Sequence, residues 1–266
     1  MNLSLSINLN NTPSMSAGVT VKSPQEIVFM RKAGRVVAET ISLIAKSIEP
    51  GMKTRDLDMI ASKHISQLGA EPSFKGYRGF PATICTSINE EIVHGIPGNK
   101  VIREGDIVSI DVGAIIGGYH GDSAVTIGVG EISQQARDLI SATRTALNKG
   151  IEMAKVGNRI GDISWAVEGY ATPLGYGVVR EYVGHGIGRA LHEEPSVPNF
   201  GDPGKGPLLI PGMVIAIEPM LNIGGWKTRQ LPDKWTVVTA DNSLSAHFEH
   251  TILISKEGPQ VLTSVQ

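Results

Sequence analysis

Apolar and polar positions follow two periods along this chain, and the change from one to the other marks its elements. From Thr54 onward Leu57, Ile60, Ala61, His64, Ile65 and Leu68 recur with the 3.6-residue spacing of a helix, which Gly69 stops. An earlier helix is predicted from Ser23-Pro24-Gln25-Glu26. There an N-cap serine, a proline at the first helical position and a glutamate at the third make a capping box. It runs to about Ile48 and stops before Pro50-Gly51. Strands are expected at about 83–88 and 106–111. The stretch from Gly105 to Asp122, GDIVSIDVGAIIGGYHGD, reads as a buried strand ending in Asp111 and then a hairpin turning at Gly117-Gly118. With that turn as the centre, Asp122 lies opposite Gly113 and Asp111 is its diagonal neighbour on the same face, roughly 7–8 Å away. Two carboxylates aimed inward from an apolar hairpin call for something positive between them, which points to a metal site.

The same programme then recurs. A helix is expected near Ser133–Lys155, a second begins near Asp162, and Leu174-Gly175 ends it. Gly51 and Gly157, Asp56 and Asp162, Leu68 and Leu174, and Gly69 and Gly175 are each separated by 106 positions (157 − 51, for instance). EGDIVSID, ending at Asp111, matches PGMVIAIE, ending at Glu218, at an offset of 107 (218 − 111). A shared offset kept in order implies two similar α+β halves in one domain. Their strand ends would meet at a central cleft, a favoured place for a site.

Composition narrows the classes. The chain has 266 residues, 41% hydrophobic and 19% charged, enough for one large core or two small ones. A formal charge of −2 without a basic cluster argues against nucleic acid as the main partner. The single cysteine, Cys85, excludes an internal disulfide and suits a reducing compartment. No apolar run reaches the roughly 18–20 residues of a membrane helix. The first 21 residues carry no charged side chain and lack the features of a secretory or organellar signal. Residues 1–22 are therefore expected to be a flexible tail, residues 23–266 a single catalytic domain, and the cytoplasm its location.

Five residues stand out as candidate ligands: Asp111, Asp122, His185, Glu218 and Glu249. His185 sits among Gly184, Gly186 and Gly188, which let backbone approach closely. Glu249 lies in the β-prone run AHFEHTILI. Each alone could be a cap, an edge charge or a hydrogen-bonded loop residue. Together they are harder to explain that way, because carboxylates 4 Å apart repel by about 4 kcal/mol per pair at an effective dielectric near 20. Either several hold protons or cations lie among them. Four negative charges match two divalent ions, and oxygen-rich ligation with one imidazole suits Mn²⁺, Fe²⁺, Co²⁺ or Zn²⁺.

The blocks INEEIVHGIP, GDIVSIDVGAIIGGYHGDSAVT, GHGIGRALHEEP, IAIEPM and SAHFEHTILI resemble those of type I methionine aminopeptidases, in the compact bacterial or organellar form. The resemblance covers nearly everything from residue 23 onward, and only 26 positions separate His192 from Glu218, where type II relatives carry a long insertion. It implies a pseudo-two-fold "pita-bread" α+β fold, in agreement with the repeat. It also implies metal-dependent removal of the N-terminal methionine from peptides and nascent chains with a small second residue. By resemblance Asp111 chelates one metal, His185 and Glu218 the other, and Asp122 and Glu249 bridge both. Glu218 would shuttle the proton from nucleophile to leaving amine. His94 and His192 match non-ligand histidines that contact substrate. Tyr77, Phe80, Cys85 and Trp235 would line the methionine slot, with Phe74 and Leu191 beside them. Leu191 stands where phenylalanine is common and Phe74 where a small or sulfur-bearing residue is common, two departures that offset in volume. Asn89, Glu91 and Ser245 match positions where relatives bind a monovalent cation. Relatives generally act as monomers on chains leaving the ribosome.

Two other readings fit parts of the pattern. A prolidase or proline-specific aminopeptidase shares the fold, although such chains usually carry a large extra N-terminal domain. A non-catalytic relative binding a ribosome or other partner would be expected to have lost ligands, and this sequence retains all five.

Overall fold

The computed structural model describes residues 18–265. Helix α1 (Pro24–Ser47) starts on the expected capping box, with the Ser23 N–H donating to the Glu26 carboxylate at 2.8 Å. Helix α2 (Thr54–Gln67) is held at its start by Asp56, which accepts from the Lys53 N–H at 2.8 Å. Helices α3 (Gln134–Met153) and α4 (Ile160–Ala171) repeat the pair, and Asp162 accepts from the Arg159 N–H at 2.7 Å. On α2 the core takes Leu57, Ala61 and Ile65. Leu68, expected on that buried stripe, is 39% exposed because the helix ends one residue before it.

Eight strands build the site. They are β1 (Ile84–Ile88), β2 (Ile107–Ile116), β3 (Tyr119–Gly128) and β4 (Gly184–Gly186), then β5 (Val214–Ile217), β6 (Met220–Asn222), β7 (Ser245–His247) and β8 (His250–Ser255). The hairpin of β2 and β3 turns at Gly117-Gly118 and pairs Gly113 with Asp122, as the sequence predicts. One expectation needs correcting. β2 does not end at Asp111 but runs on to Ile116, so Asp111 lies mid-strand opposite Ala124. The reason is the hairpin itself, whose ladder supplies partners for the backbone up to the turn.

β1 and the short strand Glu71–Pro72 flank β2 in one sheet. A second sheet has the order Gly258–Val261, β8, β5, β4, Glu193–Val197, and a third joins β7, β6 and Gly177–Val178. Helix α1 lies across β2 and β3, while α3 packs on α4 and reaches β6 and β7. One apolar core joins α1 and α2 to β1 and β2 through residues such as Val37, Ile44, Leu57, Ile84 and Ile110. A second joins α3 and α4 to β5 and β8 through Leu147, Ile163, Ile215, Ile217 and Ile252.

The internal repeat extends to single hydrogen bonds. The Gly51 N–H donates to Ile102 O at 2.8 Å, and the Gly157 N–H to Leu209 O at 3.1 Å. Thr54 N–H donates to Lys100 O, and Ile160 N–H to Pro207 O, both at 3.0 Å. The donors are offset by 106 (160 − 54) and the acceptors by 107 (207 − 100), the two offsets found in the sequence.

The halves are stitched together where β3 meets the segment entering β8. The Asp122 N–H donates to Thr251 Oγ1 at 3.0 Å, and the Thr251 hydroxyl donates back to Asp122 O at 2.8 Å. Ser123 Oγ donates to Glu249 O at 2.5 Å, and the Glu249 N–H to Ala124 O at 2.9 Å.

The folded part starts earlier than the expected boundary at residue 23. Val19 forms a parallel bridge with Glu194, and the buried Lys22 ammonium pairs with Glu193 at 2.8 Å. That pair ties residues 19–22 to the loop carrying His192. Residues 1–17 of the expected tail lie outside the described residues. Among the described residues no helix is long and apolar enough to cross a membrane.

Candidate metal centre

The cleft between the halves gathers the five candidate ligands. Asp111 comes from the middle of β2 and Asp122 from β3. His185 is the centre of β4, Glu218 directly follows β5, and Glu249 lies between β7 and β8. The glycines beside His185 are required by space. A Cβ on Gly184 would meet Ala216 O at 2.3 Å, and one on Gly186 would meet Glu194 O at 2.2 Å. His185 Nδ1 lies 2.8 Å from the Gly186 carbonyl, which only accepts, so Nδ1 carries the proton and Nε2 is left with a lone pair. That Nε2 lies 3.6 Å from Glu218 Oε1. One ligand atom each from Asp122, His185 and Glu249 lie within 4.8 Å of one another, and so do those of Glu218, His247 and Glu249.

His247, which stands in the second of these groups, was not anticipated from the sequence. Its signal was present, two positions before Glu249 in a β-prone run where alternate residues share a face.

Burial and mutual repulsion set the electrostatics. Burial pushes the Asp111 carboxyl up to about 7, against the partly offsetting positive potential of His247. Asp122 and Glu249 are driven well above the carboxylate range, first by burial and then by their carboxylate neighbours. Glu218 moves the other way. Burial raises it, but the His247 imidazole 3.5 Å from Oε2, together with His185 and His192, brings it below its ordinary value.

Asp111 Oδ1, Asp122 Oδ1 and Glu249 Oε1 are buried without a hydrogen-bond partner among the described residues. Buried polar atoms are ordinarily satisfied. Unpartnered oxygens from three carboxylates, converging beside an imidazole lone pair, fit divalent cations.

Every residue expected at the site lines one cavity of about 290 Å³. Its apolar wall includes Phe74, Tyr77, Phe80, Cys85, Leu191 and Trp235, which belong to one cluster with Met30, Ala82 and Ile187. Phe80 meets Trp235 edge to face at 5.1 Å. Phe74 closes on β2 where Gly113 makes room, since a Cβ there would sit 2.7 Å from the Phe74 ring. Burial pushes the Cys85 thiol well up, so it stays protonated.

Tyr77 does more than line the slot. It stacks on His192 at 5.4 Å and places its hydroxyl 2.9 Å from His192 Nδ1. Burial, helped by the nearby His185, lowers His192 to about 4, so it is neutral at neutral pH. His94 is also lowered, by burial, and holds a left-handed backbone (φ 60°) between Tyr182 and Trp235. Such a conformation in a non-glycine residue persists only where its surroundings enforce it. Arg78, Val93, Tyr182 and Val183 also line the cavity and were not anticipated.

Asn89, Glu91 and Ser245 do come together, and the Ser245 N–H donates to Asn89 O at 2.9 Å. Protein donors already engage their side-chain carbonyl and carboxylate oxygens. Asn89 Oδ1 accepts from the Ile107 N–H, while Glu91 takes the Ile88 N–H and the Lys100 ammonium.

Residues 28–256 match the metallopeptidase family M24. The chain is 52% identical to a methionine aminopeptidase of Clostridium acetobutylicum, over 92% of this chain and 98% of that protein. It is 52% identical to methionine aminopeptidase 1 of Bacillus subtilis, over 93% of this chain and all of that one. The crystal structure of the Thermotoga maritima methionine aminopeptidase superposes with a TM-score of 0.92 at 46% identity, covering 93% of this chain and 100% of that one. The pseudo-two-fold α+β fold is thus that of its relatives, and the chain belongs to the methionine aminopeptidases of metallopeptidase family M24.

Proposed function

We propose that this enzyme hydrolyses the peptide bond after an N-terminal methionine, on peptides and nascent chains whose second residue is small. The observation that carries the reading is the pairing of two unlike walls in one cavity. One wall is a cluster of buried carboxylates with unpartnered oxygens, and the other is an apolar surface that includes Phe80, Cys85, Leu191 and Trp235.

Asp111 would hold one divalent ion, His185 and Glu218 a second, with Asp122 and Glu249 shared between them. Ions of the Mn²⁺, Fe²⁺, Co²⁺ or Zn²⁺ type, when bound, supply Lewis acidity that activates water and polarises the scissile carbonyl. The protein's own residues do the rest. The methionine side chain enters among Phe80, Cys85 and Trp235, where aromatic faces and sulfur favour a polarizable thioether. Glu218, with its depressed pKa, is ionised and ready to take a proton from the nucleophile and deliver it to the leaving amine. His94 and His192, both kept neutral by burial, face the substrate as hydrogen-bonding groups. Tyr77 fixes the orientation of His192 by engaging Nδ1.

The test is release of methionine from Met-Ala-Ser by chelated protein titrated separately with each ion. Leu-Ala-Ser and Met-Pro-Ser serve as controls for the slot and for proline specificity. Metal-dependent cleavage of Met-Ala-Ser alone is expected. Preference for the proline substrate would favour a prolidase-like activity, and silence with bound ions would favour a binding role.

A further inference from the structure

Glu218 presents its two oxygens to different imidazoles. Oε1 lies 3.6 Å from His185 Nε2, and Oε2 lies 3.5 Å from His247 Nε2. His247 is 1% exposed and sits behind the cavity wall. Its Nε2 has no hydrogen-bond partner among the described residues.

Its backbone is clamped. The His247 N–H donates to Thr126 Oγ1 at 2.8 Å, and the Thr126 hydroxyl donates to His247 O at 2.9 Å. Strand pairing places His247 opposite Met220, two residues beyond Glu218. On the other side the Asn199 amide donates to Glu218 O at 3.0 Å. The imidazole and the carboxylate are thus delivered to each other by fixed backbone on both sides.

A buried polar atom left unpaired costs about 1–3 kcal/mol. Two carboxylate oxygens could relieve it, and Glu218 Oε2 at 3.5 Å is nearer than Glu249 Oε2 at 4.0 Å. Because Oε1 already faces His185, Oε2 is the oxygen turned away from that imidazole.

We propose that His247 is a positioning residue, donating its Nε2–H to Glu218 Oε2 so that Oε1 stays on the His185 side of the site. The proposal rests on the reading that Glu218 both holds an ion and moves a proton. A carboxylate free to rotate would exchange its two oxygens between those tasks. The hydrogen bond prevents that exchange.

The experiment uses full-length enzyme loaded with Co²⁺ and the variants His247→Leu, which removes the donor, and His247→Gln, which keeps one. Turnover of Met-Ala-Ser should fall in His247→Leu by roughly 10–100-fold through kcat, the range typical of lost outer partners of a metal ligand. KM should hardly move, and both ions should remain by calorimetry and visible spectrum. His247→Gln should recover most of kcat. Equal turnover in His247→Leu, no rescue by His247→Gln, or loss of an ion with a changed Co²⁺ spectrum would each overturn the proposal, the last making His247 a direct ligand.

A readout independent of turnover is the ¹⁵N histidine spectrum of diamagnetic Zn²⁺-loaded enzyme. His247 Nε2 should be protonated, with its hydrogen shifted downfield. A bare Nε2 overturns the proposal even if variant folding or the activity itself fails, while wild-type silence on Met-Ala-Ser overturns only the broader reading.

Discussion

Asp111 and Glu218 occupy matching places in the two halves, 107 positions apart, yet they titrate in opposite directions. Both are buried at the same cleft. At Asp111 burial dominates and the Glu218 carboxylate adds to it, with His247 offsetting only part of the rise. Glu218 lies between His185 and His247, whose imidazoles outweigh the cost of burial. The duplicated scaffold has been kept while the faces turned to the cleft have diverged. The first half contributes only carboxylates, Asp111 and Asp122, to the candidate ligand set. The second sets Glu218 between two imidazoles, those of His185 and His247.

The largest expected effect tests the imidazole-rich side. Glu218→Gln should lower kcat by roughly 10²–10⁴-fold, the usual worth of a general acid or base, with the fold intact by circular dichroism. Near-normal turnover would remove Glu218 from proton transfer. Next come the carboxylates read as shared between the halves. Asp122→Asn or Glu249→Gln should weaken both ions together, by more than the roughly 10–100-fold that outer partners cost. Calorimetry showing selective loss of one ion would disprove sharing.

A smaller effect concerns stability without metal. Asp111, Asp122 and Glu249 have folded pKa values raised above those of the unfolded chain. Between the unfolded value of 3.8 and about 7 for Asp111, the folded state keeps a proton that the unfolded chain has lost. Stability of the metal-free protein should therefore fall as pH rises through that window. Metal affinity should rise over the same window, because ligation requires the deprotonated carboxylates. Asp111→Asn should flatten the metal-free melting curve against pH, whereas Glu218→Gln should not. A melting temperature that climbs from pH 5 to 7 without metal would contradict the contrast between the halves.

The smallest effect lies on the apolar wall. Cys85 keeps its proton and only lines the slot, so Cys85→Ser should shift KM by a few-fold and leave hydrolysis in place. Abolished turnover at saturating substrate would show that the thiol does more.

Much of this arrangement was legible in the sequence, and the exceptions have physical causes. The Gly117-Gly118 turn fixed the hairpin register, because a two-residue loop leaves one way to pair the flanking strands. The helices announced themselves through capping residues and period, and the offsets of 106 and 107 exposed the duplication. The three-residue strands at Gly184–Gly186, Met220–Asn222 and Ser245–His247 are too short for a period to show. They exist because the surrounding sheets supply partners. His247 was missed for the same reason, since its importance comes from a cross-strand neighbour rather than from its own segment. Docking of residues 19–22 was invisible because it depends on Glu193 and Glu194, far along the chain.

The stitch between the halves gives the site a mechanical character. Asp122 and Glu249 supply candidate ligand oxygens through their side chains and join the halves through their backbones. Ions bound there would cross-link the two halves as well as serve chemistry. Two fragments divided in the connection between β3 and α3 would then make a split reporter, reassembling in proportion to the free metal around them.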